Sequence, residues 1–106
     1  MPKLNIPSEY ISDYLDHLRK DFQKSGLSSQ KSFHYTVGST YIHVYVVDGS
    51  DDGIRSSHSW IVNKEGTPFP LGTILKSASW RGPSRNFARG NVLTKDFSRA
   101  RWTGIS

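Results

Sequence analysis

Cysteine is absent from this chain of 106 residues. No disulfide can staple it, and no thiolate can serve as a metal ligand or nucleophile. A small secreted domain usually needs such staples, so a cytoplasmic setting is expected. Long apolar runs are missing too. No stretch nears the roughly 18 residues of a membrane span, and no membrane partner is expected. The opening Met1-Pro2-Lys3-Leu4-Asn5-Ile6-Pro7 has no apolar run and predicts no signal peptide. Acidic residues are scarce in one region. Between residues 76 and 106, Asp96 alone opposes Lys76, Arg81, Arg85, Arg89, Lys95, Arg99 and Arg101, a net of +6. The first 75 residues sum to −1, and the whole chain carries +5. Charge concentrated on a near-neutral scaffold points to a polyanionic partner. Arg outnumbers Lys there, and guanidinium groups suit bidentate contact with phosphate. A basic tail kept for solubility is the alternative.

What is present predicts one globular domain over residues 1–106. Hydrophobic residues are 35% and charged residues 22%, which is not the balance of a disordered chain. Residues 8–25 read as the one long helix, with Ser8 as N-cap and Gly26 as left-handed stop. Tyr10, Ile11, Tyr14, Leu15, Leu18 and Phe22 recur on one face. Leu27 beyond the stop is placed to touch Phe22. Two alternating runs follow, Phe33 to Val37 and Thr40 to Val47. Gly38-Ser39 between them reads as a two-residue type II′ turn. That turn would set His34 opposite His43, with Phe33, Tyr35, Val37, Ile42, Val44 and Val46 on a core face. His34, Thr36, Tyr41, His43 and Tyr45 would share the other face.

Asp48 to Gly53 is an acidic loop. Ser57 to Asn63 and Leu71 to Ser77 read as further strands, and Val92 to Thr94 as a short one. Pro83 to Ala88 predicts a short helix closed by Gly90. Phe97 and Trp102 dock the tail. Helix first and antiparallel strands after it make an α+β fold, an N-terminal helix on a sheet of about four to five strands with a short helix or loop near 83–89.

The chemistry concentrates in Gly72 to Asn91. Arg81, Arg85 and Arg89 are four apart, so a helix would put Arg85 and Arg89 on one face. Its start, with Gly82 or Ser84 as cap and Pro83 at the first position, would offer free N–H groups to a phosphate. Lys76, Trp80, Arg81, Ser84, Arg85, Asn86, Arg89 and Asn91 form the candidate ligand-binding set. Trp80 either stacks a base or anchors the loop. Phe87 is read as core. The competing account buries Arg89 beside Gly90-Asn91 as a tie between loop and sheet.

The block from Gly72 through Asn91, with Arg101-Trp102-Thr103-Gly104, resembles small uncharacterised bacteriophage proteins. Those end in a similar Leu-Lys-x-Ala-Ser-Trp-x-x-Pro-x-x-Asn-Phe-Ala-Arg-Gly-Asn run. The resemblance covers the last third of the chain. It implies a phage or prophage accessory protein acting inside a bacterial cell, of a kind that often neutralises a host component.

His34 and His43 as cross-strand neighbours, with a phosphate-binding Arg, would be the equipment of a metal-free ribonuclease. His58 belongs to the same alternative. His34-Tyr35-Thr36 also has the His-x-Thr form of two-histidine phosphoesterases, but a second such triplet is missing. No zinc set, EF-hand, Walker loop or dinucleotide fingerprint is present, so neither metal nor cofactor is expected. Three functions follow: binding of nucleic acid or a nucleotide-like ligand, ribonuclease-like cleavage, and inhibition of an acidic host protein.

Overall fold

In the computed structural model, which describes residues 2–26, 31–49, 53–85 and 87–105, the first helical period becomes α1 (Ser8–Lys24). Ile11, Tyr14, Leu15 and Leu18 are buried, with Tyr10 and Phe22 half-buried beside them. Ser8 is not the cap that the sequence predicts. Pro7 holds that position, no side chain caps the helix, and the Tyr10 N–H donates to the Pro7 carbonyl at 3.0 Å. Apolar packing fixes the start instead. Ile6 precedes the cap and Ile11 lies four residues beyond it, and both sit in the main core, as in a hydrophobic staple. Gly26 is left-handed, with φ of 72°. Leu27, and with it the predicted contact to Phe22, lies outside the described residues. Phe22 packs on Trp102 with ring centroids 5.1 Å apart.

The strands are β1 (Lys31–Val37), β2 (Tyr41–Asp48), β3 (Ile54–Val62), β4 (Ile74–Ser79) and β5 (Gly82–Pro83). They form one antiparallel sheet in the order β1-β2-β3-β4-β5. The hairpin register differs from expectation. The Gly38 N–H donates to the Tyr41 carbonyl at 2.9 Å, so the two-residue loop is Ser39-Thr40, not Gly38-Ser39. His34 therefore faces Tyr45, and His43 faces Thr36. Buried Asn63 accounts for this. Its side-chain amide donates to the Gly38 carbonyl at 2.9 Å, and its backbone N–H donates to the Thr40 carbonyl at 2.8 Å. Both tip carbonyls are held from outside the hairpin. The slip moves every partner by two residues, an even number, so the two faces keep their predicted members.

Strand β3 starts at Ile54, three residues before the predicted start. It bulges at His58: Val44 faces Ser59 and Tyr45 faces Ser57, leaving His58 unopposed. Strand β4 runs from Ile74 to Ser79, later than the predicted Leu71 to Ser77. The predicted helix over 83–88 does not form. Residues 82–84 and 89–91 instead pair along the outer edge of β4. The Ser84 N–H donates to the Lys76 carbonyl at 2.7 Å, and the Arg89 N–H to the Ile74 carbonyl at 2.8 Å. The Ile74 N–H donates to the Gly90 carbonyl at 2.9 Å. Pairing with the open edge of β4, and carrying Val92 into the core, outweighs a short local helix. Val92 to Thr94 is a turn rather than a strand, closed by a bridge between Asn91 and Asp96.

A small hairpin, β6 (Ala100–Arg101) with β7 (Gly104–Ile105), completes the chain. The Trp102 N–H donates to the Asp21 carboxylate at 2.9 Å, and the His17 Nε2–H to the Ala100 carbonyl at 2.9 Å. The main core thus joins α1 to the inner sheet face and to Val92, Ala100 and Ile105. Trp60, Val62 and Leu75 form a second, smaller cluster with Tyr41 and Phe69. Among the described residues, no helix is long and apolar enough to cross a membrane.

Gly90 is where backbone geometry is most constrained. Its φ is 147°, and a Cβ there would run into the Asp96 carbonyl. Gly66 has φ of 85° with open space around it. Gly90→Ala should therefore cost on the order of 3 kcal/mol, strain plus clash, and Gly66→Ala only about 1. Thermal melts should show a drop of at least about 10 °C for the first and clearly less for the second.

Candidate functional site

The outer sheet face, away from α1, carries a continuous set of rings. His34 stacks on its cross-strand partner Tyr45, with centroids 5.6 Å apart and planes at 27°. His43 lies flat on Trp60, with centroids 3.9 Å apart and planes at 5°. Trp80 meets His43 edge-on at 4.5 Å and Tyr45 at 5.6 Å. The β4–β5 turn presents Trp80, helped by the Arg81 N–H donating to Ser79 Oγ at 3.1 Å. Trp80 remains 47% exposed. It thus packs against His43 and Tyr45 while half of its surface stays in water.

Hydroxyl groups lie beneath these rings. Ser57 Oγ is 2.7 Å from His43 Nε2 and 2.5 Å from Ser77 Oγ. The Ser77 hydroxyl donates to the Ser79 carbonyl at 2.9 Å and accepts from Trp60 Nε1–H at 3.3 Å. With all four bonds made, Ser57 must donate to Ser77 and accept from His43 Nε2–H. The Ser57 proton is thus directed away from the imidazole, which is not the arrangement of a serine activated by a base. Burial lowers the pKa of His43, so the ring is neutral near pH 7.

One guanidinium stands against these rings. The Arg55 guanidinium lies 5.6 Å from the Tyr45 ring centroid. His34, Tyr45, Val47 and Arg55 line a hollow of about 180 Å³. That is below the roughly 300–1,000 Å³ of small-molecule pockets, but ample for a phosphate group. Arg81 and Arg85 are exposed, and none of Arg55, Arg81 and Arg85 makes an ion pair among the described residues. Asp48, the acid at the end of β2, is engaged with Lys31 at 3.2 Å.

The chain matches no protein-family model, no curated protein and no solved structure. The geometry alone therefore sorts the candidate residues. Trp80 belongs to the ring-bearing face, and Arg81 follows it, exposed, in the turn. Lys76 is exposed but opposite Ser59, on the strand side that faces inward. Ser84 serves the edge pairing through its backbone. Arg85 is exposed, and Asn86 lies outside the described residues. Asn91 is structural: its amide donates to the Leu71 carbonyl at 3.1 Å, and its oxygen accepts from the Leu93 N–H at 2.8 Å. Arg89 is half-buried, and the predicted helical face shared with Arg85 does not exist. Phe87 is not core, being 47% exposed.

Sequence reasoning missed Arg55, Ser57, Trp60 and Ser77 as site members. Arg55 lies in the near-neutral part of the chain and before the predicted start of its strand. The signal was the polar and aromatic side of the hairpin, which continues onto β3.

The three histidines of the cleavage reading do not converge. His34 and His43 share a face but each pairs with another residue, and His58 is turned to the opposite side. His58 is buried in a polar chain. Its Nε2–H donates to the Arg101 carbonyl at 2.6 Å, so Nδ1 accepts from the Ser59 hydroxyl at 2.9 Å. Ser59 Oγ then accepts from the Tyr14 hydroxyl at 2.8 Å. Burial pushes the Tyr14 phenol well above its usual range and lowers the pKa of His58, the latter against the backbone bond to Arg101. Among the described residues no three His, Asp or Glu side chains gather as a metal site. Asp51 and Asp52 of the acidic loop lie outside those residues.

His43 and His58 are thus both held neutral, and unfolding frees them to take up protons. Their contribution to stability is complete above the unfolded pKa of 6.5 and is lost as pH falls toward the lowered folded values. The melting temperature should drop between pH 7.5 and pH 5.0. In His58→Gln, which can still donate to the Arg101 carbonyl, the drop should be smaller. An equal drop in the variant would assign the pH dependence to other groups.

Proposed function

We propose that this protein binds single-stranded nucleic acid across the outer face of its sheet. The observation that carries the reading is the connected set of His34, Tyr45 and Trp80 rings, backed by buried His43, with the Arg55 guanidinium beside Tyr45 and in no ion pair among the described residues. Every base has a π-face, so exposed rings on an antiparallel sheet accept unpaired bases with little sequence preference. Arg55, Arg81 and Arg85 supply cations for the phosphates between stacked bases, and the hollow beside Arg55 has the size for one phosphate. The net charge of +5 steers a polyanion toward the protein. Under the phage resemblance of the C-terminal block, the bound strand is encountered inside an infected bacterium, and holding it is a means of counteracting a host system.

Anisotropy titrations with labelled single-stranded DNA and RNA test this. Binding should weaken steeply from 50 to 200 mM salt. Trp80→Ala should weaken it by about 5- to 150-fold, the effect of losing one base stack. Arg55→Ala should reduce the salt slope by about 1. Absence of binding, or full affinity in Trp80→Ala, would overturn the reading. Saturable binding of a mononucleotide with flat salt dependence would replace it with a small-ligand function.

A further inference from the structure

Phe87 is a large ring left half in water with no packing role on the sheet, and its surroundings are basic. The Arg89 guanidinium lies 3.7 Å from its ring centroid, and that of Arg99 lies 5.8 Å away. Arg89 makes no ion pair among the described residues, and its Nε is buried without a hydrogen-bond partner. Backbone pairing explains how Phe87 comes to be displayed. Ser84 bonds to Lys76, and Arg89 to Ile74. Two steps along β4 are matched by five on the facing segment, and between these anchors Arg85, Phe87 and Ala88 are exposed. Anchors at both ends, and the constrained Gly90 next to Arg89, make this a held projection.

The projection stands beside Leu75 and Lys76, while Trp80 stands in the turn beyond Ser79. Four residues of strand separate them, roughly 14 Å at about 3.4 Å per residue. We propose that Phe87, clamped by Arg89, is a second stacking subsite for the same single strand, engaged only by strands long enough to reach from Trp80 to Phe87. The inference rests on the nucleic-acid reading above. One base packs on the exposed part of the Phe87 ring, and the guanidinium groups of Arg85 and Arg89 meet the adjoining phosphates. An acidic protein surface is the competing occupant of such a patch.

Titration of the whole protein with single strands of 3 to 12 nucleotides separates the possibilities. In the wild type, affinity should rise in a step once the strand spans both subsites. Phe87→Ala should remove that step, costing long strands about tenfold and leaving the shortest unchanged. Phe87→Tyr should keep it. Trp80→Ala should weaken strands of every length. If the wild type binds and Phe87→Ala matches it at all lengths, or loses affinity equally at all lengths, the second subsite is wrong and the sheet-face reading stands. If no strand binds the wild type, both fail, and the acidic partner gains ground. An unchanged melting temperature in Phe87→Ala confirms that the fold is intact.

Discussion

Both N–H groups and the oxygen of the Asn63 side-chain amide are hydrogen-bonded, and the residue is fully buried. Its oxygen accepts the Asn5 N–H, and its two N–H groups reach the Lys3 and Gly38 carbonyls. Its backbone N–H holds Thr40, and its carbonyl accepts from the Asn5 side chain. One residue thereby joins the N-terminal arm, the tip of the first hairpin and the end of β3. A buried amide leaves no slack, because each unmade bond would carry its full desolvation penalty. This fixes where β2 sits against both neighbours. His43 then lies across from Trp60 and Tyr45 across from Ser57, and the ring-bearing face exists only in that register.

The bulge at His58 divides the polar groups between the two faces. Consecutive residues of a regular strand point to opposite sides. With one residue unopposed, His58 and Ser59 both turn toward α1 and form a closed polar chain with Tyr14 and the Arg101 carbonyl. Ser57 is left on the outer side with His43 and Ser77. Each group of hydroxyls and imidazole is satisfied within itself. What stays in water on that face is the ring surface of Trp80 and the guanidinium of Arg55, which makes no ion pair among the described residues.

The α+β class, the extent of α1 and the membership of both hairpin faces were legible, because they depend on periodicities that tolerate an even slip of register. The hairpin tip was not. Gly38-Ser39 is a good local turn signal, and it lost to a side chain more than twenty residues away. The segment 83–89 read as helical from Pro83 and the Arg spacing, but it had an open strand edge to pair with, which local sequence cannot reveal. The basic block led to Trp80 and Arg81, which lie at the exposed β4–β5 turn. It misassigned Asn91, whose bonds are all to neighbouring backbone, and it passed over Arg55, which only the pairing of β2 with β3 brings beside Tyr45.

The β6–β7 hairpin has a consequence for the order of events during synthesis. The five-stranded sheet is a meander in which each strand pairs with the next, so it can assemble progressively as the chain emerges. The helix cannot be sealed in the same way. Its far flank is closed by Ala100, Trp102 and Ile105, and the Asp21 to Trp102 bond spans 81 residues. The His58 Nε2–H likewise waits for the Arg101 carbonyl. Until residues 100–105 have left the ribosome, a nascent chain holds a formed sheet over an open core and a buried imidazole without its acceptor. Closure therefore waits for this last hairpin, and a chain still lacking it would be most exposed to proteases at that stage.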